Sequence, residues 1–270
     1  MKKFIAIALA TLAACTTLGL ASCGNNAKYV ANPIAAEENE QYAFAVGKNA
    51  TKKTEILNAM NKVIDEIDIA KIVDYYNAVA SNETPSVTLD FADLSDNTAG
   101  TLQVYTNAAF EPFEFRDEQN KVVGVDMYIM ELVAEELNMK VNFNDMDFDG
   151  IVGKVATEDN AVGAAGMTVR PDRLEKVDFS NTYFSTVQCI ICKEDEAFKT
   201  IEDLKGKKIG VQKGTTGWML IDEAIKSGAL KDSGAEVITY ENGPLAFAAL
   251  KASKCDVVVI DELPANKLVK

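Results

Sequence analysis

The chain has 270 residues, 48% of them hydrophobic and 25% charged, with 16 Gly and 6 Pro, a profile that excludes disordered and collagen-like chains and leaves room for two lobes of ordinary domain size. Its 27 basic against 41 acidic side chains give a net charge of −14, which repels nucleic acid and anionic surfaces. Histidine is absent, so imidazole triads, most zinc sites and histidine pH switches are excluded, and any catalysis would rest on carboxylates or lysines.

Lys2 and Lys3 precede an apolar stretch over residues 4–20 that ends in small residues, the make-up of a secretory signal. Its end, Leu20-Ala21-Ser22-Cys23, resembles the lipobox of bacterial lipoproteins. That resemblance implies removal of residues 1–22, lipid on Cys23 and a short tether over 23–27. No other stretch is apolar over the roughly 20 residues that a bilayer span needs. An exported chain, held to the membrane by lipid and otherwise soluble, is expected.

From Thr51 onward, Ile56, Leu57, Met60, Val63, Ile64 and Ile67 recur at three- and four-residue spacing, which predicts an amphipathic helix. A second helix is expected over 69–80. Residues 81–100 are acidic, rich in Ser, Thr, Asn and Asp, contain Pro85, and read as a linker. A structureless connection of that length inside a compact protein needs a reason. Beyond it the pattern alternates: strand 102–106, helix 126–137, strand 140–143, helix 150–157 and strand 162–167. A second set follows, with strand 208–211, a helix opened by Gly214-Thr215-Thr216, strand 236–240, helix 244–253 and strand 256–260. This alternation predicts parallel sheets covered by helices in two α/β lobes. In such sheets ligands bind outside the carboxyl ends of the strands, where Asn107, Thr168, Thr215 and Asp261 gather.

Three cysteines follow Cys23: Cys189, Cys192 and Cys255, an odd number that makes a poor disulfide framework. Cys189-Ile190-Ile191-Cys192 has the spacing of a redox or metal pair, but it lies in a β-like run where residues three apart face opposite ways. Buried small apolar side chains are expected there. Asp145, Asp147, Asp149 and Gly150 begin like a calcium loop, yet its twelfth position, which needs a bidentate Glu, is Ala156. The glycine-rich run over 206–217 lacks the Gly-Lys-Ser/Thr ending of a phosphate loop. No metal, cofactor or nucleotide is expected.

Several motifs stand in a fixed order: Asn107-Ala108-Ala109-Phe110-Glu111-Pro112-Phe113-Glu114-Phe115, Gly124-Val125-Asp126-Met127, Asp147-Phe148-Asp149-Gly150, Ala165-Gly166-Met167-Thr168-Val169-Arg170-Pro171-Asp172-Arg173 and Val177-Asp178-Phe179-Ser180. Leu204-Lys205-Gly206-Lys207-Lys208-Ile209-Gly210-Val211, Gly214-Thr215-Thr216-Gly217 and Asp256-Val257-Val258-Val259-Ile260-Asp261 continue it. Over residues 101–270 this order resembles the family 3 extracellular solute-binding proteins, which deliver amino acids to ABC importers. The resemblance implies a two-lobed, type II periplasmic-binding-protein-like α/β fold with the ligand cleft between the lobes. Tyr128 departs from the family signature, which usually has an acidic residue there, and is expected on a helix surface.

A family member continues past the position of Lys270 through a strand that returns to the first lobe and two closing helices. Here the counterparts read at the other end of the chain: Lys28-Tyr29-Val30-Ala31 as the returning strand, Gln41-Tyr42-Ala43-Phe44-Ala45-Val46 as the strand entering lobe one, then the helices within 51–80. A circular permutation is implied, with 81–100 joining the old ends. Lobe one is then expected over 41–80 plus 101–188, lobe two over 28–34 plus 193–270, and hinge crossings at 35–40 and 189–192. The other reading is a separate N-terminal helical hairpin ahead of a truncated binding protein.

A free amino acid brings a carboxylate and an ammonium, each of which needs an opposite partner when buried. By the resemblance, Arg173 holds the carboxylate with two parallel hydrogen bonds, helped by Thr168 and by Thr215 and Thr216 at a helix N-terminus. Asp261 and the Gly166 carbonyl take the ammonium, and Phe110 and Phe148 sandwich the carbon chain. Asn107 and Gln212 match positions beside the ligand side chain. Both are neutral, which favours a polar neutral ligand such as glutamine, whereas Glu111 leaves a cationic one open.

The function expected is a lipid-anchored, monomeric amino-acid receptor at the extracellular face of the cell membrane, partnered by the membrane subunits of an ABC importer and not by nucleic acid. Two alternatives share the fold: a cyclohexadienyl or prephenate dehydratase-like enzyme and a ligand-binding sensor module.

Overall fold

The computed structural model describes residues 27–35 and 39–270. The expected signal segment over 1–22 and the lipid site Cys23 lie outside the described residues, as do residues 36–38 of the expected crossing at 35–40.

Two five-stranded sheets form the two lobes. The lobe-one sheet runs Lys140–Asp145, Thr101–Thr106, Ala161–Gly163, Ala45–Gly47, Val177–Phe179. Its first three strands are parallel, and Ala45–Gly47 is antiparallel to both of its neighbours. Strand Thr101–Thr106 alternates: Leu102 and Val104 face the helices Lys53–Glu66, Ile69–Ala80 and Val125–Glu136, while Tyr105 faces Ile151 and Val155 of helix Phe148–Val155. The three- and four-residue spacing in the first helix buries Ile56, Ala59, Met60 and Val63.

The lobe-two sheet runs Tyr29–Pro33, Gln188–Lys193, Val257–Asp261, Lys208–Gln212, Glu236–Tyr240. Its last three strands are parallel and the first two antiparallel. Val257–Asp261 is buried at every position, as befits a central strand covered on both faces. Val257 and Val259 pack with Ile221 of helix Thr216–Lys226, and Val258 and Ile260 with Phe247 and Leu250 of helix Gly243–Lys251.

The lobes are joined where Glu40–Tyr42 pairs antiparallel with Phe184–Thr186 as a separate two-stranded ribbon. This corrects the expected crossing at 189–192. Those four residues are fully buried inside the lobe-two strand Gln188–Lys193, bonded to Tyr29–Pro33 on one side and to Val257–Asp261 on the other. A continuous apolar run is the mark of an inner strand rather than of a hinge. Cys189 and Cys192 face different clusters of that sheet, and both are free thiols, as is Cys255.

The strand expected over 162–167 ends at Gly163, because the Ala164 N–H goes to the Tyr105 carbonyl and Gly166 turns the chain at φ 53°. The expected second-lobe helices form, and a further helix, Glu262–Leu268, follows Asp261.

Residues 81–100 carry neither helix nor strand, yet they lie along lobe one. The Asn97 amide donates to the Met139 carbonyl at 2.8 Å and the Ala99 N–H to the Asn138 carbonyl at 2.8 Å, while Leu89 and Leu94 pack on the core. Tyr128 is the second correction. It is 6% exposed, not on a helix surface, and its hydroxyl donates to the Asp90 carbonyl at 2.8 Å. The linker covers this face of helix Val125–Glu136, which turns an outward position into a buried one.

Candidate functional site

Every element that ends at the cleft contributes one or two side chains to it. Asn107 follows strand Thr101–Thr106, Phe110 lies in the next loop, and Phe148 opens its helix. Gly166 and Thr168 occupy the loop after Ala161–Gly163, and Arg173 sits on the short helix Pro171–Leu174. From lobe two come Gln212 and Asp261, the last residues of their strands, with Thr215 and Thr216 at the start of Thr216–Lys226. The structure brings all ten to the wall of one cavity, together with Glu114 and Ala165. The cavity encloses about 20 Å³, room for about one water molecule, so anything of amino-acid size enters only when the lobes move apart.

Arg173 is 4% exposed. Its Nη1 donates to the Thr168 carbonyl at 2.7 Å and its Nη2 to the Gly214 carbonyl of the opposite lobe at 3.1 Å. Its guanidinium carbon stands 5.3 Å from the centre of the Phe148 ring, within cation–π range. Among the described residues no carboxylate stands within 4.0 Å of it. Asp172 is taken up bidentately by Arg170, through Nε and Nη2. Burial, and then Arg170 beside it, holds the Arg173 guanidinium below its ordinary value, at about 9. A desolvated cation without a counter-charge is costly unless an anion joins it.

Asp261 is the opposite pole. It is 7% exposed, and the Tyr42 hydroxyl donates to its Oδ1 at 2.6 Å. Burial and the nearby Glu40 raise its carboxyl to about 7. Glu40 itself accepts from the Gln188 amide at 2.8 Å and from the Thr168 hydroxyl at 2.7 Å. The joining ribbon therefore reaches both poles of the site, through Tyr42 and through Glu40.

A third acidic group supports the loop between them. Asp126, fully buried, accepts from the Gly166 N–H at 2.9 Å and from the Tyr183 hydroxyl at 2.6 Å, and so clamps the loop that carries Gly166 and Thr168. Gly166 is required there, because a Cβ would stand 2.6 Å from the Phe110 ring. Glu114, 1% exposed, lines the cavity beside Asp126. Burial, then Asp126, pushes its carboxyl well above the usual range, and burial raises Asp126 to about 6. Two atoms in the wall have no hydrogen-bond partner: Glu114 Oε2 and the Thr216 hydroxyl oxygen.

The lobes also meet polar group to polar group. The Gln212 amide donates to Asn107 Oδ1 at 3.0 Å, and Lys213 Nζ lies 2.7 Å from Asp149 Oδ2. The Thr215 hydroxyl caps its helix by accepting from the Trp218 N–H at 3.2 Å and donates to the Gln212 carbonyl. Glu111 turns away from this cavity, into two neighbouring ones that it shares with Phe115 and Arg116. Sequence reasoning missed Glu40, Tyr42, Glu114 and Asp126. The signal for Glu114 was there: an acid between two phenylalanines, Phe113 and Phe115, both of which are buried. The described residues contain no group of three His, Cys, Asp or Glu side chains fit to hold a metal ion. What the arrangement can do is hold a small zwitterion, cation against Asp261 and anion against Arg173.

Residues 102–236, half of the chain, match the family described as bacterial extracellular solute-binding proteins, family 3. The L-cystine-binding protein of Escherichia coli strain K12 is 30% identical over 173 residues, 63% of this chain and 62% of that protein. The chain thus spans a little under two thirds of the curated relative it matches. Among solved structures, an ancestral arginine-binding protein bound to arginine matches with a TM-score of 0.57 and 41% identity, covering 63% of this chain and 74% of the other. An ancestral arginine-binding protein bound to glutamine matches at 0.56 and 40%, covering 63% and 73%.

The buried acids set a pH dependence of stability. Asp261 titrates at 3.8 in an open chain and at about 7 here, so between those values the native state keeps a proton that the unfolded chain has lost. Stability of the protein by itself is therefore greatest below about pH 4 for this group and falls as pH rises to 7; Asp126 adds to the fall up to about 6. Urea unfolding at stepped pH is expected to show a shallower fall for Asp261→Asn than for the wild type. Equal slopes would remove the buried acid from the account.

Proposed function

Because the chain belongs to the family 3 bacterial extracellular solute-binding proteins, we propose that it is a receptor that captures a free amino acid between its lobes and hands it to an ABC importer. The observation that carries this reading is the pair of buried, opposite poles, with no carboxylate among the described residues within 4.0 Å of Arg173. In the bound state the ligand carboxylate takes the Arg173 fork in place of the Thr168 and Gly214 carbonyls. The Thr216 hydroxyl and the free N–H groups of its helix complete that subsite. The ligand ammonium meets Asp261 and the Gly166 carbonyl, and Phe110 and Phe148 flank the carbon chain. Closure is hinge-like about the Glu40–Tyr42 and Phe184–Thr186 ribbon.

Side-chain preference rests on Asn107 and Gln212, which already hydrogen-bond each other across the cleft and suit a polar neutral side chain such as that of glutamine. Glu114 supports a second reading: its unpartnered Oε2 in the wall would meet a cationic side chain. The family is one of solute-binding proteins, so the dehydratase-like alternative is set aside.

A melting-temperature screen against the free amino acids tests the proposal. Ligand at about 1,000 times its dissociation constant is expected to add about 4 kcal/mol, several degrees. Arg173→Ala is expected to keep the fold and lose about 2 to 5 kcal/mol of binding, tens to thousands fold. No shift with any amino acid at millimolar concentration, or wild-type affinity in Arg173→Ala, would defeat the receptor.

The order of the chain reads as a circular permutation. Tyr29–Pro33 lies in the lobe-two sheet against Gln188–Lys193, Ala45–Gly47 lies inside the lobe-one sheet, and the helices Lys53–Glu66 and Ile69–Ala80 cover that same sheet. This placement supports old ends joined by residues 81–100. Linking Lys270 to Lys28 through a short Gly/Ser loop and opening the chain within 86–98 is expected to leave ligand affinity little changed. Failure to fold with several loop lengths would favour a separate hairpin.

Attachment by lipid on Cys23 completes the proposal, on the strength of Leu20-Ala21-Ser22-Cys23. Mass spectrometry of the chain extracted from membranes is expected to find a diacylglyceryl-bearing Cys23 as the first residue. An unmodified cysteine, or a chain released to the medium, refutes it.

A further inference from the structure

Away from the cleft, and sharing no lining residue with it, a cavity of about 170 Å³ opens where the linker crosses lobe one. Four aromatic rings border it in a closed circuit. Tyr75 meets Tyr76 at 5.1 Å and 76°, Tyr76 meets Tyr128 at 6.4 Å and 56°, Tyr128 meets Phe91 at 5.5 Å and 89°, and Phe91 returns to Tyr75 at 6.0 Å and 67°. Aromatic rings gathered about a cavity attract ammonium groups through their faces.

Two polar side chains belong to the same wall. Glu131, one helical turn after Tyr128, lines the same cavity with a side chain 20% exposed and makes no hydrogen bond among the described residues. Lys121 Nζ stands 4.0 Å from it on a side chain that is 66% exposed, and Asp117 lines the same cavity. Burial holds the Glu131 carboxyl above its ordinary range. Tyr76, 5% exposed, also lines the cavity.

We propose that this box is a second ligand site, formed only where the linker lies on lobe one, for a small organic ammonium ion seated among the four rings with Glu131 as its counter-charge and the Tyr76 hydroxyl as an additional acceptor. Phe91 is the ring supplied by the linker, and at 54% exposed it forms the outer wall through which the ligand enters. The ring quadrupoles and the carboxylate act in the same direction, so the site selects charge as well as shape. The net charge of −14 draws cations toward it.

The test is a titration of the full chain with choline and with propylammonium at constant ionic strength, followed by amide chemical shifts. The uncharged carbon isostere of choline serves as control. The expected result is saturable shifts at Tyr75, Tyr76, Phe91, Tyr128 and Glu131 with one or both cations and none with the isostere. Phe91→Ala is expected to weaken binding about 2- to 30-fold, and Glu131→Gln to weaken it as well. Neither variant should alter the melting response to amino acids, so this site and the cleft are judged separately. Binding of the isostere as strong as that of choline, shifts centred on Thr168 and Asp261, or no saturation with either cation would overturn the proposal. Phe91→Ala replaces an exposed side chain, and Glu131→Gln keeps the shape of the site, so a folding defect in one leaves the other to decide.

Discussion

A guanidinium taken out of water with no carboxylate among the described residues in ion-pair contact with it is the constraint around which this molecule is arranged. Arg173 makes hydrogen bonds to two carbonyls and lies against the Phe148 ring, which occupies two of its five N–H donors without cancelling its charge. Desolvating a charge in that way costs several kcal/mol, and an anion bound beside it would offset that cost. Asp261 mirrors this from the other lobe, where burial keeps its proton on to about pH 7. Had the two met directly they would form an ordinary buried ion pair and close the site for good. Holding them apart on separate sheets leaves each in need of a partner of opposite sign.

The sheets explain how two such costly groups are kept in place. Asp261 ends its strand, where the backbone runs out of partners and polar side chains are admitted, and Arg173 is held on the short helix Pro171–Leu174 between two lobe-one strands. Asp126 ties the Gly166 loop to the core from beneath, so the loop cannot relax away from the cavity when the lobes part. The joining ribbon has a second task besides hinging. Tyr42 bonds to Asp261, and Glu40 bonds to Thr168 and Gln188. The ribbon is thereby hydrogen-bonded to groups at both poles of the site.

The linker shows a similar economy. Twenty residues without helix or strand would ordinarily be loose, but side-chain bonds from Tyr128 and Asn97 and the burial of Leu89 and Leu94 fasten them to lobe one. In fastening them, the structure gathers Phe91 against Tyr75 and Tyr128 and leaves Glu131 inside an aromatic wall. A segment that reads as a mere connection becomes part of a surface with chemistry of its own.

The sequence by itself determined a good deal. Period-two and period-3.6 patterns are local, so the alternation of strands and helices and the apolar face of Lys53–Glu66 were legible, as were the polar residues that end the strands. Nine of the ten candidate site residues could be named because each sits in a short motif whose order carried the resemblance, and Gln212 because it follows one of those motifs directly. What only the tertiary structure decided are relations between distant segments. The run 189–192 looks like a crossing until two partner strands enclose it, and Tyr128 looks exposed until the linker lies over it. Glu40 and Tyr42 precede the residues they bond, Thr168 and Asp261, by 128 and 219 positions, and no local pattern marks such a pair. Burial of a polar side chain depends on what the rest of the chain places around it, and that is why Glu114, Asp126 and Glu131 became significant only in the folded molecule.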